Sequence, residues 1–161
     1  MTAADDLLLG EFVRTLDARH RLALPPELLD PLLSAGPALL LAKERFGCLS
    51  LWPAAVWQPR LDAAVDVLRT KLQAGLLGQR TPQVQDLGRL LSTRQRVVTL
   101  AGRGRLVVPE GFREFLAVEP GSDLVVVGAA VCVELWQPAA WSAFVTAEMP
   151  DFRRRIDELT T

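Results

Sequence analysis

Between Glu11 and Asp17 the side chains sort by alternation, with Phe12, Arg14 and Leu16 on one face and Val13, Thr15 and Asp17 on the other. A period of two predicts a strand, because successive side chains of an extended chain point to opposite faces. Ala18, Arg19 and His20 supply a turn, and Arg21 to Leu24 form the return strand of a hairpin. Pro25 and Pro26 then stop the strand and open a short helix over Glu27 to Leu29 or slightly beyond, since proline is tolerated in a first helical turn. Pro31 ends or kinks that helix. After the turn signal of Ser34 to Pro37, two more short strands are expected, Ala38 to Lys43 and Cys48 to Trp52, joined around Gly47.

From Trp52-Pro53 the period changes. Leu61, Val65, Leu68 and Leu72 recur at helical spacing while Asp62, Asp66, Arg69 and Lys71 lie mostly away from them, which predicts a helix over Ala54 to Gln73. Pro59 kinks it or marks its first turn. Gly75 to Arg80 reads as a hinge, and Thr81-Pro82 as an N-cap followed by proline at the first helical position. A connecting helix then runs to about Thr93 despite the cost of Gly88. Beyond it come a hairpin (Gln95 to Leu100, Arg105 to Val108), a short helix (Glu110 to Leu116), a strand pair (Asp123 to Val127, Val131 to Trp136) and a helix (Pro138 to Glu148). Asp151 to Leu159 adds a charged tail with Phe152, Ile156 and Leu159 on one face.

The two halves carry one programme. TLDARHRLALP, Thr15 to Pro25, returns eighty-four residues later as TLAGRGRLVVP, Thr99 to Pro109, and at the same offset Cys48 falls on Cys132, Leu51 on Leu135, Trp52 on Trp136 and Trp57 on Trp141. Between Thr15 and Trp57 thirteen of forty-three positions are identical to their partners, several of them Arg, Trp, Cys or Pro. The order is therefore ββαββα, twice. Four-stranded units with so many open edges do not stand alone, so the copies are expected to pack into one pseudo-symmetric, barrel-like α+β core.

Composition narrows the function classes. At 161 residues, half of them apolar, the chain can bury one or two small cores. Apolar runs such as Ala38 to Ala42 are far too short to span a bilayer, and Asp5 and Asp6 stand where a signal peptide carries positive charge. No membrane association and a cytoplasmic location are expected. Cys48 and Cys132 sit inside apolar strand patterns and read as small core residues rather than a disulfide framework. The formal net charge of −1 argues against a generic polyanion binder, so any nucleic-acid surface must be local. Arg greatly outnumbers Lys, which occurs only at positions 43 and 71. A GC-rich coding sequence accounts for that bias over the whole chain, and contacts to phosphate and guanine account for it at the turns. One His, no metal-ligand spacing and no phosphate loop between a strand and a helix leave no basis for an enzyme, a cofactor or a small-molecule substrate.

Gly10-Glu11-Phe12 leads to Asp17-Ala18-Arg19-His20-Arg21 and then Leu24-Pro25, and the second half offers Ala101-Gly102-Arg103-Gly104-Arg105 and Val108-Pro109. With Leu51-Trp52 and Trp57, Leu135-Trp136 and Trp141, and the connector segment Arg89-Leu90-Leu91, this pattern resembles the MraZ family of the SpoVT/AbrB-like superfamily over roughly Gly10 to Glu148. The family's hallmark is an Asp-x-x-Gly-Arg turn in each of two tandem units. The resemblance implies two swapped-hairpin units forming a double-split β-barrel with flanking helices. It implies an N-terminal arm over 1–9, units over 10–72 and 95–149, a connector over 73–94 and a helical tail over 150–161. It further implies a homo-oligomeric ring, association with the nucleoid, and regulation of the division and cell-wall gene cluster by binding promoter double-stranded DNA at short direct repeats. His20 replaces the Gly of the first turn and Ala101 the Asp of the second.

Arg19, Arg21, Arg103 and Arg105 are the expected DNA-binding residues, an Arg-x-Arg presented twice that can fix phosphate register and read guanine edges. Arg14, with Arg94 and Arg96, would contact backbone at most. His20 either bonds a phosphate or fills its turn, where histidine tolerates the left-handed conformation better than most residues. Ala101 is expected to loosen the second hairpin, because an Asp there would bond nearby backbone N–H groups. The paired Trp are expected to anchor the core rather than stack on bases. The competing reading is a diverged ring-forming protein that has kept its protein contacts and lost DNA specificity.

Overall fold

Eight strands and six helices follow one another along residues 7–161, the part of the chain that the computed structural model describes. Residues 1–6 of the expected arm lie outside it. The alternation noted above becomes β1 (Leu8–Thr15), which begins inside the segment read as an arm and buries Leu8. β2 (Arg21–Ala23), α1 (Pro26–Leu33), β3 (Ala38–Arg45), β4 (Cys48–Pro53) and α2 (Ala54–Gln73) complete the first half. A 3-10 turn at Gly78–Arg80 leads into α3 (Thr81–Arg94). The second half is β5 (Gln95–Thr99), β6 (Arg105–Val107), α4 (Arg113–Leu116), β7 (Asp123–Ala130), β8 (Val133–Trp136) and α5 (Pro138–Glu148). After a 3-10 turn at Met149–Asp151, α6 (Phe152–Thr160) ends the chain.

The strands form a six-stranded antiparallel sheet in the order β1-β7-β8-β4-β3-β5 and a separate ribbon, β2-β6. Each half contributes its first strand to the other half's strand pair: β1 lies on β7, and β5 on β3. The expected hairpins are therefore not hairpins. β1 and β2 enter different sheets, as do β5 and β6, because cross-half pairing satisfies far more backbone groups than the short arm of either turn could. The large sheet keeps β1 and β5 as free edges and does not close into a barrel.

The offset of eighty-four is not uniform. Leu41 pairs with Leu51 and Val126 with Leu135, so Leu41 matches Val126 at eighty-five while Leu51 matches Leu135 at eighty-four. A register shift between Lys43 and Arg45 adds one residue to the first half, and the segment ahead of β3 is one shorter. A bulge that opposes two residues to one accounts for the slip.

The core lies under the ribbon and one face of the sheet. Leu16, Leu22, Leu28, Leu32, Leu39 and Leu41 meet Leu106, Val108, Leu116, Leu124, Val126 and Leu135 there. A smaller cluster on the other face joins Cys48, Val125, Val127 and Trp136 to Trp141 and Phe144. Both cysteines are free and buried, and burial raises both thiols well above their ordinary range, as core residues require.

The helices depart from expectation in small, explicable ways. α1 passes through Pro31 and ends at Leu33. α2 runs continuously through Pro59, near its N-terminus, and buries only Ala54. Thr81 is the first residue of α3 rather than its cap, and its hydroxyl donates to the Gly78 carbonyl at 3.4 Å. Phe152, Ile156 and Leu159 share a face of α6 that stays exposed.

Candidate nucleic-acid interface

The ribbon is built about Leu22 and Leu106, which pair with each other and are 2% and 1% exposed. Because side chains alternate across a strand, Arg21, Ala23, Arg105 and Val107 face away from the core. Arg21 opposes Val107 and Arg105 opposes Ala23, which places the two arginines on a diagonal, a separation of about 7–8 Å in antiparallel pairs. Reciprocal bonds extend the ribbon: Leu24 N–H donates to the Gly104 carbonyl at 3.0 Å, and Val108 N–H to that of His20 at 2.9 Å.

The turns at the ribbon's ends solve one problem with different residues. Asp17 Oδ1 accepts from the N–H groups of Arg19 at 2.8 Å and Arg21 at 2.9 Å, and Asp17 Oδ2 accepts from Arg21 Nε at 2.8 Å. The backbone bond from Arg21 is the main cause that holds the Asp17 carboxyl below its ordinary value, with the Arg21 guanidinium adding to it. His20 takes a left-handed φ of 59° in place of glycine and lines a polar cleft of about 620 Å3 with Glu110, Arg113 and Glu114.

In the second turn Ala101 has no such side chain, yet the backbone closes through Ala101 N–H to the Arg105 carbonyl at 2.8 Å and Arg105 N–H to that of Ala101 at 3.3 Å. Arg103 adopts φ 64° and Gly104 φ 70°. A β-carbon on Gly104 would lie 2.5 Å from Leu29 Cδ1, so any larger residue there must displace that side chain as well as adopt a left-handed conformation. At the offset of eighty-four Leu29 corresponds to Arg113, which lines the same cleft as His20.

Arg19, Arg21, Arg103 and Arg105 are thus brought to the ribbon and its turns. Arg19, Arg103 and Arg105 are exposed and have no ion-pair partner among the described residues, whereas Arg21 is clasped by Asp17. Arg105 Nε reaches only the Gly102 carbonyl, at 3.4 Å. Arg14, Arg94 and Arg96 are engaged away from the ribbon. Arg14 lies over Phe12 at 5.7 Å, Arg96 over Phe112 at 5.7 Å, and Arg94 pairs with Glu44 at 3.4 Å. Sequence reasoning missed the outward-facing Ala23 and Val107, which complete the ribbon's surface. Alternation about Leu22 and Leu106 was the signal for them.

The Trp pack in pairs, but the two pairs differ: buried Trp136 and its neighbour Trp141 join a core cluster as expected, whereas Trp52 and Trp57 stay half-buried outside it. Trp52 meets Trp57 edge-on at 4.7 Å, and Trp136 meets Trp141 at 5.2 Å. Three of the four indole N–H groups donate to side chains, Trp52 to Ser50 Oγ, Trp136 to Glu134 and Trp141 to Glu11. Burial pushes the Glu134 carboxyl above its ordinary value against the opposing bond from Trp136, and Glu44 adds to the rise. Among the described residues no group of three or more His, Cys, Asp or Glu side chains could hold a metal ion, and no helix is long and apolar enough to cross a membrane.

An antiparallel sheet strung from both halves of the chain, with an arginine-bearing ribbon between their turns, defines an α+β protein with a local cationic surface. Residues 94–158 match the family model described as "MraZ protein, putative antitoxin-like". A protein of Marinobacter nauticus described as "Transcriptional regulator MraZ" is 30% identical over 146 residues, 89% of each chain. Proteins of the same description from Thermomicrobium roseum and Nitrosospira multiformis are 28% identical over 95% of this chain and 99% of the relative, and 30% identical over 80% of each. The chain belongs to the MraZ family.

Proposed function

We propose that this chain is a DNA-binding transcriptional regulator of the division and cell-wall gene cluster, and that the β2-β6 ribbon is its DNA-facing surface. The observation that carries this reading is the convergence of Arg19, Arg21, Arg103 and Arg105 on one ribbon and its two turns. A two-stranded ribbon fits the major groove of B-DNA, about 12 Å wide, and arginine at its edges can hold phosphate or read guanine. Local placement answers the objection of a net charge of −1.

The sheet and ribbon together are read as an opened double-split barrel, with repeat units over 10–72 and 95–149, a connector over 73–94 and a tail over 150–161. Assembly into a ring would multiply the ribbons, so that contacts weak singly bind direct repeats by effective concentration. Cytoplasmic residence on the nucleoid follows from that role.

One observation favours the alternative, a ring-forming relative without DNA specificity: the Arg21 guanidinium is held by Asp17. Fluorescence anisotropy with a duplex carrying the direct repeats upstream of the chain's own operon, against a scrambled duplex, separates the two. The regulator prefers the repeats at moderate salt, and the alternative shows no preference.

A further inference from the structure

A cleft of about 370 Å3 opens between the first turns of α2 and the sheet, floored by Leu40 and Ala42 and walled by Trp52, Trp57 and Leu61. Arg60 and Arg94 stand in its lining and no acidic side chain does. Arg94 is already paired with Glu44, so Arg60 is the cation without an ion-pair partner among the described residues.

The internal relation of the two halves shows what shape this space accepts. At an offset of eighty-four, Trp52, Trp57 and Leu61 correspond to Trp136, Trp141 and Val145, and Arg60 corresponds to Phe144. In the second half the Phe144 ring packs 5.2 Å from Trp136 and 5.7 Å from Trp141, with the Arg45 guanidinium 5.3 Å above it, and Trp136 is 2% exposed. In the first half Arg60 lies over Trp57 at 4.6 Å, and Trp52 stays half-buried beside the open cleft. The same indole pair thus has a phenyl ring supplied in one half and a cation supplied in the other.

We propose that this cleft binds a small aromatic carboxylate, its ring seated beside Trp52 as Phe144 sits beside Trp136, and its carboxylate held by Arg60. The volume falls within the range of small-molecule sites, about 300–1,000 Å3, and an apolar lining with one convergent polar group is their usual construction. Guanidinium is the side chain best suited to carboxylate. Gln95, which lines the cleft, opens β5, the strand leading to the turn of Arg103. A bound ligand therefore touches the element that feeds the second turn.

Isothermal titration of the full chain with 3-phenylpropionate, 3-phenylpropanamide and propionate, checked by tryptophan fluorescence, tests the assignment. The wild type is expected to bind the aromatic acid saturably and about tenfold more tightly than the amide, the scale of one charge-assisted hydrogen bond, with no measurable binding of propionate. Arg60→Gln brings the acid to the level of the amide. Arg60→Phe, which rebuilds the packing of the second half, abolishes binding of both while preserving the circular dichroism spectrum. If Arg60→Phe does not fold, Arg60→Gln and the acid-amide comparison decide alone. No saturable binding to the wild type, equal binding of acid and amide, or full binding by a folded Arg60→Phe overturns the proposal. So does a wild type that binds no ligand but changes its sedimentation when Arg60 is replaced, which assigns the cleft to a second copy of the chain.

Discussion

Asp17 holds Arg21 twice, through the backbone N–H at 2.9 Å and through Nε at 2.8 Å. One of the four arginines expected to face DNA is thereby also a structural part of its own turn. Asp17 keeps the proton less readily in the folded chain than in the unfolded one, because the Arg21 N–H bonds the ionised form. For a carboxyl lowered on folding, stability is present above the unfolded pKa and is lost as pH falls through the folded one. Asp17→Asn is therefore expected to lower Tm at neutral pH, and the gap to the wild type should narrow as pH falls below the ordinary carboxylate value of 3.8. Thermal melts across pH 2–7 read this directly. A constant gap would remove the charge from the explanation.

Glu134 is expected to behave with the opposite sign. Burial raises its carboxyl, so the ionised form costs stability above the folded pKa, and that cost disappears as pH falls below both values. Glu134→Gln retains an oxygen to accept from Trp136 Nε1 and removes the charge. Its Tm should exceed that of the wild type at neutral pH and converge with it in acid. A lower Tm at neutral pH would show that the ion's contacts outweigh its desolvation.

Gly104 tests the ribbon's fit against α1. Gly104→Ala is expected to cost about 1–3 kcal/mol in urea unfolding, from a left-handed φ and overpacking on Leu29. Combining it with Leu29→Ala should recover the steric part, so that the double mutant is more stable than the sum of the single effects predicts. Strict additivity would mean that the backbone conformation alone sets the cost.

Leu22 and Leu106 meet at the ribbon's centre with almost no exposure. Leu22→Ala and Leu106→Ala should each cost about 2–5 kcal/mol, the range for buried leucine truncation. Equal costs in chemical denaturation would show that the two halves bear on the core alike. A loss below about 1 kcal/mol at either site would place that leucine outside the folded core.

Much of this was legible in residue patterns. The alternation of Phe12, Arg14 and Leu16, the helix from Ala54 to Gln73 and the burial of Cys48 and Cys132 all follow from local periodicity and agree with the structure. What escaped depends on partners distant in the chain. Nothing local to Thr15 or Thr99 shows that the strands around each turn join separate sheets. The slip between Lys43 and Arg45 is masked by a compensating deletion ahead of β3, so an ungapped comparison misaligns Leu41 by one. At the candidate site, the positions of the turn arginines were legible, but the restraint of Arg21 was not, because a contact between residues four apart is recognisable in a helix and not in an irregular turn. The left-handed His20 was anticipated from the turn motif of the family it resembles, which carries Gly at that place.

The ribbon as DNA-facing surface is tested most directly by measuring the affinity and salt dependence of Arg105→Ala and Arg14→Ala on the direct-repeat duplex beside the wild type. The expected result is a loss of about 1–3 kcal/mol and a salt slope shallower by about one for Arg105→Ala, with Arg14→Ala close to wild type. Wild-type affinity and slope for Arg105→Ala, or no preference of the wild type for the repeats over scrambled DNA, would contradict it.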